Sequence, residues 1–399
     1  MRGAPGVDDR CVRQTSRRNR SARLGLALAL LLVGLTLMLA APVGHADDGL
    51  VAHRLRIPLT EGTRTVTLWV APGFDIGLAA TGVPSARMLA QAPTGELVLS
   101  QMFEGKVSKL SDRDGDGEFE DRVTILHDLE VPHGLAFVGD ALFVATNDQI
   151  LRLDPWWDGS SAREVARLPS GGKHLTRTLA LGPDGLLYVS IGSSCDACQE
   201  DDTRRAAILR MDPGSGRMEP VASGIRNAVG MTWSPYDGQL WVTDNGRNDL
   251  GDENPPDEID VVKVGADYGW PDCHADRQPD TPQIPAERCA GTEPPVLMVP
   301  AHIAPLGLAF YDTDRAPQGY RGNLLVALHG SSERSDLIGY ELVRAPMQDG
   351  RPQTPSGFVR GWLVGEQSWG RPVAPFVSRD GTLYVTDDKG GVIYWIRPS

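Results

Sequence analysis

Short apolar segments alternate with polar positions through most of the chain beyond residue 47, and turn-forming residues bound each segment. This alternation has the period of two that a half-buried β-strand shows. The chain holds 45 Gly and 30 Pro, which suits many tight turns between short strands. The pattern predicts an all-β fold with little helix.

One unit recurs along the chain: an apolar strand, a turn with Gly or Asp, and a second strand of the type Leu-Tyr-Val. Its six copies begin at Leu89, Gly134, Leu179, Gly230, Gly307 and Ala374. The first three gaps are 45, 45 and 51 residues, close to the length of a four-stranded propeller blade. The repeat therefore predicts one six-bladed β-propeller over residues 47–399. A β-sandwich with chance Asp-Gly turns is the alternative.

The first 46 residues have a different character. Several arginines precede an apolar run of 18 residues from Leu24 to Ala41, and a small-residue site ends at Ala46. These features predict a signal peptide that is cleaved, so that the protein is exported to the periplasm or secreted. An uncleaved membrane anchor is the alternative, and the Arg17-Arg18 pair leaves both Sec and twin-arginine export open.

The charge of the body argues against nucleic acid as a partner. The formal net charge of −13 becomes −18 when the seven arginines and two aspartates of residues 1–46 are removed. Binding to phosphate backbones needs a basic face, which so acidic a chain does not favour.

Basic side chains nevertheless stand just before the first strand of each unit, where a propeller places residues near its axis. This group, with one neighbouring amide, consists of Arg87, His133, His174, Arg177, Arg226, Asn227, His302 and Arg371. Because arginine pairs bidentately with carboxylates, the group predicts a site for a planar, carboxylated anion. Ordinary capping of strand ends is the alternative.

Two acidic stretches are candidate calcium sites. Seven carboxylates lie between Asp244 and Asp260 and are interrupted by Gly and Pro, which suits a hard cation with oxygen ligands. A solvated acidic loop is the alternative. Asp112, Asp114 and Asp116 match the first half of a calcium loop, but Val123 replaces the Glu that an EF-hand needs. The second stretch is therefore either a smaller calcium site or a tight hairpin.

Four cysteines remain when Cys11 of the first segment is set aside: Cys195, Cys198, Cys273 and Cys289. In an exported chain an even number predicts disulfides. Cys195 and Cys198 either close on each other or cross to the second pair, and the sequence leaves this open. Gln199 follows Cys198, which excludes haem attachment of the C-x-x-C-H type.

Several motifs in a fixed order resemble the glucose and sorbosone dehydrogenase family of soluble quinoproteins. They are Lys173-His174 with LALGPDGLLYVSIG, GIRN with GMTWSP, DNGRN with PPDEIDVV, and DYGWP. Further segments are similar to its sorbosone-dehydrogenase-like branch: GSSCDAC, PLGLAFY, VALHGS and WGRPV. The resemblance covers essentially the whole body of the chain.

The resemblance implies oxidation of an aldose, or of a sorbosone-like aldehyde, with pyrroloquinoline quinone (PQQ) and calcium. It makes His174 the general base that takes the proton from the anomeric hydroxyl. It assigns Arg226, Asn227 and Arg371 to the cofactor. We also assign substrate contacts to Arg226 and to its axial neighbours His133 and Arg177.

The resemblance also implies two calcium positions. One ion would lie against the quinone on the carbonyls of Gly246 and Arg247, and a structural ion would use Glu258 and the carbonyl of Tyr268. The chain departs from the soluble glucose dehydrogenases at a blade-five lysine that binds the cofactor, where His329 stands here.

The small-molecule partner is expected to be a sugar, and the electrons must pass on to a periplasmic or membrane acceptor. Two other classes remain open. A calcium-dependent hydrolase such as a lactonase would use an axial metal to activate water. A propeller that only binds a ligand would use the basic axis without chemistry.

Overall fold

The computed structural model describes residues 49–59, 62–331 and 333–399, so the predicted signal segment 1–46 lies outside the described residues. The described chain begins with a hairpin and one further strand: β1 (Val51–Leu59), β2 (Gly62–Val70) and β3 (Phe74–Thr81). The six repeats follow.

The first blade contains β4 (Ala86–Gln91), β5 (Leu97–Gln101), β6 (Lys106–Ser111) and β7 (Asp121–Leu126). The second contains β8 (Leu135–Val138), β9 (Ala141–Ala145), β10 (Gln149–Leu153) and β11 (Arg163–Arg167), with a 3-10 turn at Gly159–Ser161. The third contains β12 (Arg177–Leu181), β13 (Leu187–Ile191), β14 (Ala207–Met211) and β15 (Met218–Ser223).

The fourth blade begins with β16 (Met231–Trp233), β17 (Leu240–Asp244) and β18 (Asp257–Val262). An insertion with β19 (Cys273–His274), β20 (Gln278–Pro279) and the short helix α1 (Ala286–Cys289) precedes its last strand, β21 (Leu297–Val299). The fifth contains β22 (Pro305–Phe310), β23 (Leu324–Leu328), β24 (Glu341–Ala345), the small hairpin β25 (Met347–Gln348) and β26 (Arg351–Pro352), and β27 (Ser356–Arg360). The hairpin β28 (Leu363–Val364) and β29 (Gln367–Ser368) leads to the sixth, with β30 (Pro372–Val377), β31 (Leu383–Asp387) and β32 (Val392–Pro398).

The blades close into a ring, and the prediction of a six-bladed propeller is confirmed. Each first strand contacts the first strand of the next blade, and β30 contacts β4. The sixth sheet has the order β3-β32-β31-β30, so a strand from the start of the described chain completes the last blade. The hairpin of β1 and β2 extends the outer edge of the fifth blade through β27. The first and last strands of this region, β3 and β32, therefore pair in one sheet and close the ring.

The hydrophobic core lies between the blades. Within the described residues, six apolar clusters each join two neighbouring blades, and a seventh small cluster lies among the inner strands. The second strand of most blades is buried on both faces, as in β13 and β23. This explains why those segments are continuous apolar runs and not alternating ones. The six inner strands leave a channel cavity of about 440 Å³ along the axis.

Buried hydroxyls connect the inner strands around the axis. Ser100 donates to the His133 carbonyl at 2.7 Å, and Thr178 donates to the Val229 carbonyl at 2.6 Å. In the same way Thr243 donates to the Leu306 carbonyl and Thr386 to the Arg87 carbonyl. Each bond crosses from one blade to the next and satisfies a buried carbonyl, so it fixes the relative position of two inner strands.

The structure contains no helix long and apolar enough to cross a membrane among the residues it describes.

We expect Gly230→Ala to destabilise the fold, because inner strands approach so closely here that a Cβ on Gly230 would lie 2.2 Å from the Leu306 carbonyl oxygen. Overpacking against backbone costs about 1 to 3 kcal/mol. Chemical denaturation measures the loss. Gly291→Ala is the matched control, since a Cβ there meets nothing within 4 Å. Equal stability of the two variants would contradict the close packing.

Candidate active site

Two of the predicted site residues, His174 and Asn227, converge at one end of the third and fourth blades. His174 and Asn227 precede the inner strands β12 and β16, and Gly192, just after β13, lies between them. A Cβ on Gly192 would lie 2.7 Å from both the Asn227 Oδ1 atom and the His174 Cβ atom. The glycine therefore allows these two side chains to lie close together.

His174 is partly buried and is held through one ring nitrogen. Its Nδ1 atom lies 2.8 Å from the Ser193 hydroxyl and 3.0 Å from the Ser193 carbonyl oxygen. Burial, together with the positive charge of Arg226, lowers the pKa of His174 from its ordinary 6.5 to about 3. The imidazole is therefore neutral at physiological pH, which is the form that accepts a proton.

Arg226 is buried and its guanidinium contacts two loops. Nε donates to the Asp196 carbonyl at 3.0 Å, Nη2 donates to the Asp196 carboxylate at 2.7 Å, and Nη1 donates to the Asn245 carbonyl at 2.7 Å. The backbone N–H groups of Arg226 and Asn227 both donate to the Asp244 carboxylate. Asn227 Oδ1 is buried and has no hydrogen-bond partner among the described residues. This amide oxygen can therefore accept a bond from a ligand.

Asp196 is the centre of a charge cluster that the sequence analysis missed. Besides Arg226, its carboxylate contacts Lys173 Nζ at 2.6 Å, Arg247 Nε at 3.6 Å and the Asn248 backbone N–H at 3.2 Å. One sequence signal pointed to it, since Asp196 lies between two cysteines that are three positions apart. Arg226, which was predicted to hold an anion, thus already has an internal carboxylate beside it.

Both disulfides form, and each stays within its own loop. Cys195 bonds to Cys198, which closes the loop that carries Asp196, and Cys273 bonds to Cys289 across the insertion of the fourth blade. The structure thus answers the connectivity that the sequence left open.

A second group of predicted residues lies between the fifth, sixth and first blades. His329 Nε2 lies 3.0 Å from the Asp388 carboxylate, which also accepts from Arg87 at 2.9 Å. Burial lowers the pKa of His329 to about 4 even though Asp388 opposes the shift. Arg371 donates to the carbonyls of His329 and Gly330. The Nε2 atom of His329 is therefore already paired with a carboxylate of the protein.

Arg371 faces open space. Its guanidinium stands over the Tyr340 ring at 5.6 Å. The cavity beside it has a volume of about 390 Å³ and is lined by Ser85, Phe103, Tyr340, Ser368, Arg371, Asp388 and Lys389. Lys389, from the sixth blade, brings a second positive charge to this cavity.

Two residues that were predicted to contact the substrate are fully buried within the protein. Arg177 is fully buried, and its guanidinium donates to the carbonyls of Pro169, His174 and Thr176. His133 is also fully buried, with Nδ1 3.3 Å from the Thr178 hydroxyl, and burial holds its pKa well below 6.5. Arg177 was predicted to lie near the axis. Its guanidinium instead binds backbone carbonyls at the buried ends of the strands and does not reach the channel mouth. The Arg177 guanidinium therefore supports the His174 backbone, and the assignment of Arg177 and His133 to the substrate stays a prediction.

The four calcium candidates of the fourth blade line one small cavity of about 20 Å³. Its walls include Gly246, Arg247, Glu258 and Tyr268, together with Asp244 and Asp280. A cavity needs roughly 10 to 15 Å³ to hold one water molecule, so this one can accept a single small ion. The structure thus brings together residues that lie 22 positions apart in sequence.

Several buried carboxylates lie beside this cavity, and nearby positive charge does not fully offset their mutual repulsion. Burial raises the pKa of Asp244 to about 7, and burial with repulsion from Asp244 raises that of Glu258 to about 8. Burial and the same neighbours hold the pKa of Asp260 well above its ordinary value. Neither Asp260 oxygen has a hydrogen-bond partner within the part of the chain that the structure describes. Buried carboxylates of this kind need a cation or a proton.

The acidic loop of the first blade forms a separate cluster between β6 and β7. Carboxylate oxygens of Asp112, Asp114, Asp116 and Glu120 lie within 4.8 Å of one another. Asp112 also accepts from the backbone N–H groups of Gly115 and Gly117, both at 2.7 Å. These bonds alone explain the tight turn, so the calcium assignment here stays a prediction.

The chain is similar to known sugar dehydrogenases. The sequence profile of the family described as glucose/sorbosone dehydrogenase matches residues 163–394. An aldose sugar dehydrogenase of Escherichia coli strain K12 is 28% identical over 255 residues, covering 59% of this chain and 63% of that protein. A pyrroloquinoline quinone-dependent sugar dehydrogenase of Hypocrea jecorina is 27% identical over 254 residues, covering 51% and 56%. The chain thus aligns with less than two thirds of the length of these curated relatives.

Solved structures share the fold. A calcium structure of a Trichoderma reesei carbohydrate-active enzyme of family AA12 has a TM-score of 0.72 and covers 87% of this chain and 99% of that chain. The two are 21% identical, so this similarity supports the propeller architecture and not a particular activity.

We expect the free energy of unfolding to fall as the pH drops from 6.5 toward about 3, partly through His174. In this range the unfolded chain binds a proton at the imidazole and the native protein does not, so acid favours unfolding. One such group contributes a slope of up to about 1.4 kcal/mol per pH unit. Denaturation at several pH values should show a shallower slope for His174→Gln. The exposed His127 gives the control, and a His127→Gln slope as shallow as that of His174→Gln would contradict the assignment.

Proposed function

The chain belongs to the glucose/sorbosone dehydrogenase family, and we propose that it oxidises an aldose sugar, or a sorbosone-like aldehyde, with PQQ as the electron acceptor and calcium as a second cofactor. The observation that carries this proposal is the convergence of a neutral, partly buried His174 with the buried Asn227 and Arg226 at one end of the propeller. The printed descriptions of the relatives, an aldose sugar dehydrogenase and a PQQ-dependent sugar dehydrogenase, agree with it.

The residues present fit a planar, carboxylated cofactor. Arg226 supplies positive charge on the fourth blade, and Arg371 with Lys389 supplies it beside the cavity of the sixth. Asn227 offers a buried amide oxygen that is free to accept a hydrogen bond. Arginine and lysine are the groups that bind carboxylates. His329 fits this role less well, since its Nε2 atom already contacts Asp388.

Bound PQQ would accept the hydride that leaves the anomeric carbon of the sugar. The residues of this chain supply proton transfer and charge. His174 takes the proton of the anomeric hydroxyl through Nε2, because Nδ1 is engaged with Ser193. Burial keeps the imidazole neutral before the reaction, so it has a lone pair to receive this proton. The Asp196 carboxylate lies near enough to affect the charged imidazole that results.

Calcium fits the small cavity of the fourth blade. Its donor set combines the Glu258 and Asp244 carboxylates with carbonyl oxygens of an irregular loop, and hard cations prefer such oxygens. Asp260, which lacks a hydrogen-bond partner within the described residues, adds negative charge next to it. A divalent cation here would offset the repulsion between these buried carboxylates. We assign Glu258 and the Tyr268 carbonyl to this ion. The carbonyls of Gly246 and Arg247 line the same cavity, and their assignment to a second ion beside the quinone stays a prediction.

We also propose export. Two disulfides within the chain suit an oxidising compartment such as the periplasm or the extracellular space. The basic and apolar pattern of residues 1–46 provides the signal. The sugar and the electron acceptor would then meet the protein outside the cytoplasm.

Purified protein supplied with calcium and PQQ is expected to reduce an artificial electron acceptor when an aldose is added. His174→Gln should lower kcat by about 10²-fold to 10⁴-fold, because a positioned general base contributes that much. Cofactor binding, measured by quinone absorbance, should survive in this variant.

His127→Gln is the control for this experiment, since His127 is exposed. Bound quinone without turnover on a broad panel of aldoses would rule out the dehydrogenase. Hydrolysis of a lactone by the calcium-loaded protein without quinone would favour the hydrolase class instead.

Calcium should raise the melting temperature of metal-stripped protein, because an ion that binds the folded state alone stabilises it. Glu258→Gln should remove most of this shift, since it deletes a charged ligand of the small cavity. Asp112→Asn tests the exposed loop of the first blade in parallel. Thermal unfolding with and without calcium measures both. A full calcium shift in Glu258→Gln would contradict the fourth-blade site.

A further inference from the structure

We propose that the loop from Ser193 to Cys198, closed by its disulfide, determines which ring nitrogen of His174 carries the proton. The inference rests on the proposed role of His174 as the base and deepens it. Ser193 would be a positioning residue, since it is fully buried and contacts His174.

The hydrogen bonds around Ser193 leave one arrangement that satisfies every group. The Ser193 hydroxyl lies 2.8 Å from the Cys195 carbonyl, which can only accept, so the hydroxyl donates its single proton there. The same hydroxyl then accepts from His174 Nδ1 at 2.8 Å. The second oxygen near Nδ1, the Ser193 carbonyl at 3.0 Å, also only accepts. Nδ1 therefore carries the hydrogen, and Nε2 keeps the lone pair.

The alternative tautomer conflicts with these contacts. An unprotonated Nδ1 would place its lone pair against the Ser193 carbonyl oxygen. The hydroxyl would have to turn away from the Cys195 carbonyl to donate to the ring. Ser193 is fully buried, so water cannot easily replace the bonds that would be lost.

The loop that presents the Cys195 carbonyl is fixed from several sides. The disulfide to Cys198 closes it over four residues. The next carbonyl, that of Asp196, accepts from Arg226 Nε at 3.0 Å and from Trp270 Nε1 at 3.1 Å.

The start of the loop is tied to the chain beside His174. The Ser193 N–H donates to the Arg226 carbonyl at 2.8 Å, and the Lys173 N–H donates to the Ser194 carbonyl at 2.7 Å. Lys173 immediately precedes His174, so this hydrogen bond links the backbone beside His174 to the backbone of the loop. The disulfide thus holds the Cys195 carbonyl, which orients the Ser193 hydroxyl that contacts His174.

Nitrogen NMR of protein labelled with ¹⁵N-histidine, without PQQ and in calcium buffer, tests the inference directly. His174 signals, assigned by their loss in His174→Gln, should show a protonated Nδ1 and an unprotonated Nε2 near neutral pH. Ser193→Ala keeps the backbone carbonyl beside Nδ1 but loses the hydroxyl, so it and the double variant Cys195→Ala/Cys198→Ala should shift part of the population to the other tautomer. Ser193→Thr keeps the hydroxyl and should restore the parental pattern.

Ser194→Ala is the matched control, because the Ser194 hydroxyl contacts only the Cys198 sulfur, at 3.8 Å, among the described side chains. Its His174 signals should equal those of the parent. In turnover, Ser193→Ala should lower kcat about tenfold, the rate equivalent of one hydrogen bond, with KM unchanged.

A parental His174 with its proton on Nε2, or a Ser193→Ala spectrum identical to the parental one, would overturn the inference. Near-ultraviolet circular dichroism checks that each variant is folded, and Ser193→Ala carries the test if the cysteine variant does not fold. The NMR result does not depend on turnover. The expected tautomers without any sugar oxidation would therefore contradict the proposed function and leave the inference standing.

Discussion

Hydrogen bonds between neighbouring inner strands are the constraint on which the rest of this structure depends. Buried hydroxyls such as Ser100 and Thr386 cross from one blade to the carbonyl of the next. The last blade is completed by β3 from the start of the described chain. Because the site residues precede these same inner strands, the bonds that close the ring also fix the backbone of the site. A binding site built from loops of several blades thereby gains a rigid base.

Charge at the mouth of the propeller is balanced within the protein. Asp196 lies among Lys173, Arg226 and Arg247, and Asp388 lies between Arg87 and His329. These carboxylates hold the long basic side chains in place, which reduces the entropy lost when a ligand binds. They also reduce the positive charge offered to an anion, so binding of a carboxylated cofactor depends on the donors that remain free, above all at Arg371.

Burial has opposite consequences for the histidines and the carboxylates. It keeps His174 neutral, which suits a base, and the surrounding bonds to Ser193 compensate for the loss of water. At Glu258 and Asp260 burial and mutual repulsion act in the same direction, and the protein itself provides few compensating groups. The first environment is complete without an ion, whereas the second would be stabilised by one. Calcium would therefore contribute to the fold of the fourth blade as well as to the chemistry.

The sequence by itself determined the blade count and the strand pattern, because a propeller blade is built from contacts that are local in sequence. It also placed His174, Arg226 and Asn227 before their inner strands, since each repeat carries its own register. Tertiary structure alone decided which of the axial groups face open space. Arg177 looks equivalent to Arg226 in sequence, yet it binds buried carbonyls. Asp196 reaches Arg226 only because a disulfide loop of one blade folds against the next, a contact between segments 30 residues apart that no local pattern encodes.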